Sequence, residues 1–317
     1  MEPIILFYKI SFFAVLLLLI SSNIFVEAGN VGVNYGRQGK DLPSPSAVGS
    51  LLRSRNVDRI RLFSPDWDVL NALRGSGIGV VLCVPNPDIQ RIGNDPDFAG
   101  NWIWNNVLSF NDVQFRFQAA GKTTPVTTTI SFVVAVDSYP PSRGRFSDGA
   151  QNIMRSIVGF LVANRSPLLV NIYPYFVYSE NRQQIQLDYA LFTANRIVVR
   201  DSDNGLQYWN LFDAMTDAAY AAIEKVGGYN VDIVIAESGC PSGQNGDIAT
   251  IPNTRTYVKN LISHVSGTSG TPKRPGRSIE TYIFGLFNEN TKDGLPTERH
   301  FGLYYPDMRE ISPVTFR

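Results

Sequence analysis

Carboxylates and aromatic residues follow several short apolar runs in this sequence. Glu237 comes directly after the run Asp232–Ala236, Tyr173 comes after Leu168–Ile172, and Glu289 follows another such run. Two carboxyl groups can cleave a glycosidic bond, one attacking the anomeric carbon and the other protonating the leaving oxygen, and flat rings pack against the apolar faces of sugars. The set indicates a carbohydrate site, although each residue alone would suit an ordinary loop.

These residues require a scaffold that brings the ends of several strands together. Eight short runs rich in β-branched or aromatic residues predict strands, and they are Val31–Tyr35, Arg59–Phe63, Gly79–Val84, Val113–Ala119, Val126–Phe132, Leu168–Ile172, Asp232–Ala236 and Thr281–Phe287. Helical patterns lie between several of them, one beginning at Ser44-Pro45 and another ending at Gly227-Gly228. The alternation predicts an α/β fold of the (β/α)8 TIM-barrel type, in which chemistry takes place at the carboxyl ends of the strands.

Composition excludes several classes of function. Lys plus Arg and Asp plus Glu both number 28, so the formal net charge is zero, and no basic run indicates a nucleic-acid partner. The two histidines, His264 and His300, lack the spacing of metal ligands. Because no glycine-rich phosphate loop follows a strand either, we expect no metal and no cofactor. Cys83 and Cys240 are expected to be free, buried thiols.

The N-terminus has the pattern of a secretory signal. Lys9 precedes the apolar run Ile10–Ile20, and Val26-Glu27-Ala28 fits a signal-peptidase site. The run has about eleven residues, against roughly 20 for a membrane-spanning helix. We therefore predict a signal peptide over residues 1–28 and a single domain over 29–317. The mature chain is expected to be a monomer, free of the membrane and secreted to the cell wall.

Several motifs recur in order along almost the whole mature chain, from about Asn30 to Phe316. They are Val31–Gly36, Leu168–Phe176, Asp188–Phe192, Ile233–Gly239, Pro272–Gly276, Phe287–Lys292 and Glu298–Leu303. Each motif alone is weak, but the ordered set resembles the plant glucan endo-1,3-β-glucosidases of glycoside hydrolase family 17. The resemblance implies a TIM barrel that hydrolyses internal bonds of β-1,3-glucan with retention of configuration.

The resemblance also implies roles for individual residues. It makes Glu237 the nucleophile, and it places a second charged cluster, Glu289, Lys292 and Glu298, along the cleft. The aromatic residues that it places beside the substrate are Tyr35, Tyr173, Phe192 and Phe287. An aromatic residue at a strand end is often a core residue, and the charged cluster could be a solvated loop with ion pairs, so both alternatives stay open here.

The sequence departs from the family pattern after the fourth strand, where a Gly-Asn-Glu motif normally supplies the acid/base glutamate. Here Gly121 is followed by Lys122, and no glutamate or aspartate lies between Asp112 and Asp137. Only about five residues, Gly121–Pro125, separate the fourth and fifth predicted strands, whereas parallel neighbours need a crossover of a dozen or more. We expect the barrel to be distorted or incomplete here, and Asp137 to be a poor substitute for the missing acid.

A second departure lies beside the nucleophile. Cys240 follows Glu-Ser-Gly, where the family has an aromatic residue, usually Trp. Losing a ring of that size leaves either a cavity or a repacked neighbourhood.

These departures leave three hypotheses. The chain is a β-1,3-glucanase of plant defence with impaired activity, a non-catalytic glucan-binding protein, or the incomplete sequence of an active enzyme.

Overall fold

The structure is a computed structural model, and it describes residues 30–115 and 126–316. The predicted signal peptide, residues 1–28, and the residues that follow the fourth strand therefore lie outside the described part. Within the described ranges, no helix is long and apolar enough to cross a membrane.

Eight strands form one parallel sheet, and each overlaps one of the eight predicted runs. They are β1 (Val31–Tyr35), β2 (Arg59–Leu62), β3 (Gly79–Leu82), β4 (Gln114–Phe115), β5 (Thr129–Ser131), β8 (Leu168–Asn171), β11 (Ile233–Ser238) and β12 (Thr281–Ile283). Two small antiparallel pairs lie apart from the sheet, formed by β6 (Ala135–Val136) with β7 (Arg145–Phe146) and by β9 (Val199–Arg200) with β10 (Gln207–Tyr208).

The sheet curls into a half-barrel and is open at the predicted place. Its strand order is β4-β3-β2-β1-β12-β11-β8-β5, so β4 and β5 are the two edges. A closed barrel would pair these two strands, but the described residues form no β4–β5 ladder. The prediction of a barrel that is incomplete around Gly121–Pro125 agrees with this strand order.

Nine α-helices occur in the described ranges. They are α1 (Pro45–Ser54), α2 (Trp67–Ala72), α3 (Asn86–Asn94), α4 (Pro96–Asn106), α5 (Asp148–Asn164), α6 (Pro174–Glu180), α7 (Leu187–Ala190), α8 (Leu211–Lys225) and α9 (Ile251–Ser266). Short 3-10 turns lie at Leu108–Phe110, Phe132–Val134, Pro141–Arg143 and Pro296–Arg299.

Local sequence signals set the helix boundaries. The Ser44 hydroxyl accepts a hydrogen bond from the Ala47 amide at 3.3 Å, with Pro45 at the first position of α1. The Asn210 side chain caps α8 in the same way, 2.8 Å from the Asp213 amide. Gly227 ends α8 at a φ of 99°, a conformation that glycine adopts without steric cost.

Candidate active site

Glu237 lies at the carboxyl end of β11, where the strand departs from regular pairing. Along the ladder with β8, Ile235 is opposite Val170 and Glu237 is opposite Asn171, so one residue of β11 is skipped. Bulges of this kind often re-aim side chains beside active sites. The Glu237 side chain is 14% exposed, and each of its carboxylate oxygens accepts a hydrogen bond.

Arg61 is the first of the two donors. Its Nη1 lies 2.8 Å from Oε1 of Glu237 and 3.0 Å from Oδ1 of Asn34. The Asn34 amide donates in turn to the carbonyl oxygens of Ala236, at 3.0 Å, and Tyr282, at 3.2 Å. The Arg61 guanidinium, from β2, is therefore held by side chains of β1 and β11, and Asn34 is itself held by the backbone of β11 and β12. Arg61 is only 4% exposed. A buried charge of this kind requires a partner of opposite charge, and Glu237 is that partner.

Tyr173, the residue before α6, is the second donor. Its hydroxyl donates to Oε2 of Glu237 at 3.0 Å. Burial, followed by the charge of the Glu237 carboxylate, raises the pKa of Tyr173 well above its usual value, so the phenol keeps its proton. Edge-on contacts with Phe284 and Phe301 hold the ring in place. The two donors fix the orientation of the Glu237 carboxylate.

A cleft of about 410 Å³ opens beside this carboxylate. Its lining includes four of the predicted site residues, namely Tyr35, Glu237, Glu289 and Lys292. Two rings that the motifs did not single out, Phe63 and Phe284, also line it. The guanidinium of Arg61 lies 4.8 Å from the Phe63 ring centre, and Nζ of Lys292 lies 4.0 Å from that of Phe284. The cleft thus combines carboxylates with aromatic faces, as sugar binding requires.

The second charged cluster is well ordered by its own contacts. Oε1 of Glu289 accepts a hydrogen bond from the Gln38 amide at 2.6 Å, and burial raises the pKa of this carboxyl group. A Cβ atom at Gly36 would collide with the same carboxylate, so any larger residue there would displace the Glu289 side chain from its present position. Lys292 and Glu298 form an ion pair at 3.2 Å.

The Tyr35 side chain is oriented by Arg37, whose Nη1 donates to the Tyr35 hydroxyl at 2.8 Å. Burial raises the pKa of Tyr35, so this phenol too keeps its proton.

Two predicted aromatic residues lie elsewhere. Phe287 is 4% exposed and packs against Tyr35 and Tyr304, with ring centres 6.2 and 6.1 Å away. Phe287 therefore belongs to the hydrophobic core, which is the alternative that the sequence left open for aromatic residues at strand ends. Phe192 does not line the cleft either, because its ring packs among side chains of α8 and α9, including Phe212 at 5.7 Å and Tyr257 at 5.7 Å.

The position of the family's acid/base glutamate falls on residues after β4, which lie outside the described part. Asp137, the next acidic residue in the chain, is 2.6 Å from Nε of Arg145 in an exposed ion pair. It follows β6, which pairs with β7 and not with the eight-stranded sheet. The expectation that Asp137 is a poor substitute is consistent with this placement.

The two cysteines differ in their burial. Cys240 is 4% exposed, and burial raises the pKa of its thiol to about 12. Beside it lies a void of only about 10 Å³, so little space is left around this thiol. Cys83 is only partly buried, contrary to expectation, and lies near Arg61. Both thiols are free, as expected.

A larger cavity, of about 940 Å³, lies at the opposite end of the strands. Its lining includes Asn30, Pro167, Asp232 and Glu280, each of which precedes a strand of the sheet. In barrels of this type, chemistry takes place at the carboxyl ends of the strands, whereas the amino ends contribute to stability. We therefore assign the site to the smaller cleft at Glu237.

Comparisons with known proteins show which family this chain resembles. The chain is 44% identical to "Glucan endo-1,3-beta-glucosidase" of Vitis vinifera over 341 residues, which cover 96% of this chain and 97% of that protein. It is 42% identical to "Putative glucan endo-1,3-beta-glucosidase GVI" of Hordeum vulgare, covering 90% of this chain and 97% of that protein.

Solved structures of plant glucanases also superpose on this chain. CJP38, a β-1,3-glucanase and allergen of Cryptomeria japonica pollen, superposes with a TM-score of 0.81 at 39% identity, covering 90% of this chain and 98% of that one. One of two plant β-glucan endohydrolases with distinct substrate specificities gives 0.83 at 38% identity, covering 90% and 99%. These glucanases have a TIM-barrel fold, so the predicted fold class is confirmed.

The family's sequence profile matches in two overlapping segments, residues 31–136 and 122–316. Together with the relatives, this match confirms the resemblance that the motifs indicated, and the chain belongs to the glycosyl hydrolases of family 17.

Proposed function

We propose that this chain binds β-1,3-glucan in the cleft at Glu237 and that, as its sequence stands, it hydrolyses internal linkages slowly or not at all. Membership of the family makes β-1,3-glucan hydrolysis its function by descent. The observation that carries the proposal is the fully built nucleophile half of the site, in which Arg61 and Tyr173 hold the Glu237 carboxylate.

The described geometry suits Glu237 to attack an anomeric carbon. Arg61 places a positive charge 2.8 Å from Oε1 of this carboxylate. The hydrogen bonds from Arg61 and Tyr173 also limit rotation of the carboxylate, so that it meets the sugar in one orientation. Attack would form a glycosyl-enzyme, which water then hydrolyses with retention.

The acid half of the reaction has no clear candidate. Retaining enzymes keep their two carboxyl groups about 5–5.5 Å apart. Among the described cleft carboxylates, Glu289 is engaged by the Gln38 amide and Asp66 by Arg37 at 3.1 Å. The chain has no acidic residue between Asp112 and Asp137. Without general acid catalysis the leaving oxygen departs unprotonated, and the rate falls roughly 10²–10⁴-fold.

Two comparisons support the loss of an internal segment. The alignment with the Vitis vinifera relative extends over 341 positions, whereas this chain has 317 residues, so at least 24 positions have no counterpart here. The family profile also matches residues 122–136 twice, once from each side. A missing βα segment of about 31 residues, one eighth of a typical barrel, would produce both results.

The same comparisons also support two other hypotheses about the function. If the printed sequence lacks a segment that the natural protein has, the natural protein is an active glucanase. If the segment is truly absent, the aromatic and charged cleft favours a protein that binds glucan without cleaving it.

A pair of assays tests the proposal. The first measures reducing sugar released from linear β-1,3-glucan by the chain and by Glu237→Gln, and we expect little or no release from either. The second uses 2,4-dinitrophenyl β-laminaribioside, whose leaving group departs without protonation. We expect a single burst of dinitrophenolate and a mass increase on Glu237, both abolished in Glu237→Gln, because the nucleophile works while the acid/base group is missing.

Each contrary result has a definite meaning. Turnover of glucan at the rate of an ordinary glucanase, dependent on Glu237, would show that another group supplies the proton and would overturn the proposal. Absence of the burst in a folded chain that still binds glucan would favour the purely glucan-binding reading.

We also propose export to the cell wall and a part in plant defence. The support is the N-terminal apolar run with its cleavage pattern at Val26-Glu27-Ala28. N-terminal sequencing of chain recovered from the extracellular fluid tests the proposal, with Gly29 as the expected first residue.

A further inference from the structure

The helix pair that precedes β4 is covered by very little of the molecule. No residue of α3 is buried, and Asn106 is the only buried residue of α4. Large apolar side chains are exposed there instead, with Trp104 at 63%, Leu108 at 57% and Ile89 at 55%. Helices of a globular domain normally bury an apolar stripe. We call these side chains and Ile103 the α3–α4 face.

Helix α5 has a second apolar stripe beside its buried one. Met154, Val158 and Leu161 are buried in the core. Ile153, at 65% exposure, and Phe160, at 48%, lie seven residues apart and therefore on one side of the helix. We call these two side chains, together with the half-buried Ile157 between them, the α5 face.

The two faces belong to the two open edges of the sheet. Helices α3 and α4 lie in the connection from β3 to the edge strand β4, and α5 lies in the connection from the edge strand β5 to β8. In the described ranges no α-helix stands between Asn106 and Asp148. Exposed apolar patches of this kind typically mark interaction sites.

We propose that these faces bind a second copy of this chain, with the α3–α4 face of one copy against the α5 face of the other. Both halves of the contact are present in every copy. In a closed barrel they would flank one common βα unit, so they border the same gap from opposite sides. The proposal departs from the monomer expected from the sequence, and it does not depend on whether the chain hydrolyses glucan.

Charge favours contact between unlike faces. Helices α3 and α4 with the residue between them carry Asp88, Asp95 and Asp97 against Arg91, a formal charge of −2. Helix α5 is different, because its Asp148 is held by Arg145 at 2.8 Å and the remaining charged residue is Arg155.

The whole chain has a formal net charge of zero, so no long-range repulsion opposes association. Contact between unlike faces either closes reciprocally about a two-fold axis or continues into open chains.

Sedimentation velocity of the purified chain, across about a hundred-fold range of concentration, tests the proposal. We expect the mean mass to rise with concentration. Phe160→Glu places a negative charge opposite the acidic α3–α4 face and should raise the dimer Kd about ten-fold or more. Phe160→Lys removes the same ring but keeps the favourable charge, so it should raise the Kd less.

A matched control is Leu295→Glu. Leu295 is 66% exposed and follows β12, a strand in the middle of the sheet order, so this change should leave the Kd unaltered. Trp104→Lys tests the other half of the contact, and it replaces the Phe160 variants if they do not fold. A monomer at every concentration, or equal effects of Phe160→Glu and Leu295→Glu, would overturn the proposal.

Discussion

Each oxygen of the Glu237 carboxylate accepts a hydrogen bond from a residue distant in the sequence, and the Tyr173 hydroxyl gives one of them at 3.0 Å. Tyr173→Phe keeps the ring contacts and removes only this bond. A hydrogen bond to a charged group contributes about 1.5–3 kcal/mol. We therefore expect the rate of the dinitrophenolate burst to fall roughly ten- to hundred-fold, with thermal stability almost unchanged. The measurement is stopped-flow absorbance with 2,4-dinitrophenyl β-laminaribioside.

Tyr175→Phe is the matched control, because the Tyr175 hydroxyl accepts from the Asn245 amide at 2.9 Å and does not contact Glu237. Equal losses in the two variants would show that the Tyr173 hydroxyl does not act on the nucleophile.

Cys240 provides a test of local packing. The void beside it is only about 10 Å³, and its lining includes Ile248 and Tyr257. Cys240→Trp should therefore overpack this region and lower the free energy of unfolding by about 1–3 kcal/mol. Urea denaturation measures this free energy of unfolding, with Cys240→Ser as the control for loss of the thiol. A more stable Trp variant would show that this region has room for the larger ring.

The sequence predicted that Glu237 and Tyr173 belong to one site, and their side chains are in contact in the structure, but it found only part of what surrounds them. Glu237 and Tyr173 directly follow apolar runs, and such positions lie at the carboxyl edge of a parallel sheet. Arg61 was missed because it lies inside a strand, where side chains normally form the core. The sequence of β2, Arg-Ile-Arg-Leu, could have revealed it, because arginine alternates with apolar residues in this strand. An arginine buried in a strand needs an acidic partner, and this requirement indicates a nearby carboxylate.

At the scale of elements, strands were easier to predict than their ends. The predicted run Thr281–Phe287 begins correctly, but β12 ends at Ile283. Beyond that residue the two-residue alternation of a strand no longer fixes which side chains face the cleft. Phe284 lines the cleft, whereas Phe287 is in the core. No pattern within the run indicated where the strand stops.

Helix α8 carries a pH-dependent element. Asp217 is 1% exposed, and burial raises its pKa to about 7. The folded chain thus binds this proton more tightly than the unfolded chain, so the stabilisation is fully present below about pH 4 and is lost as the pH rises through 7. The expected loss is a few kcal/mol, at roughly 1.4 kcal/mol for each unit of pKa shift.

Asp217→Asn removes the titration while keeping an oxygen for the Tyr208 hydroxyl and the Lys273 amide, which lie 3.0 and 2.8 Å from the carboxylate. We expect the decline in the free energy of unfolding between pH 4 and 7 to be shallower in this variant, measured by urea denaturation. Identical slopes in the two proteins would show that Asp217 is not the responsible group.

At the scale of the whole molecule, the order of the strands explains both the open sheet and the exposed helices. Local patterns predict eight strands correctly, yet the closure of a barrel depends on a connection long enough to carry a crossover between neighbours. Only counting the residues between two strands revealed the defect, and periodicity alone did not. The exposed apolar faces could not be predicted at all, because Ile153 and Trp104 have the spacing of ordinary core residues.

Insertion of the segment that we propose is missing between the fourth and fifth strands should therefore change both the activity and the association of the chain. A chimera carrying this segment from the Vitis vinifera protein would add a helix between the α3–α4 and α5 faces and a carboxylic acid near Glu237. We expect β-1,3-glucan hydrolysis to rise roughly 10²–10⁴-fold, and the mass in sedimentation to become that of a monomer.

The same chimera with the inserted glutamate changed to glutamine separates the two effects. It should remain monomeric and stable but stay inactive on glucan, because closing the barrel covers the apolar faces without supplying the proton. If both chimeras were equally active, the acid would come from elsewhere in the chain, and the open sheet would not be the cause of the weak hydrolysis proposed above.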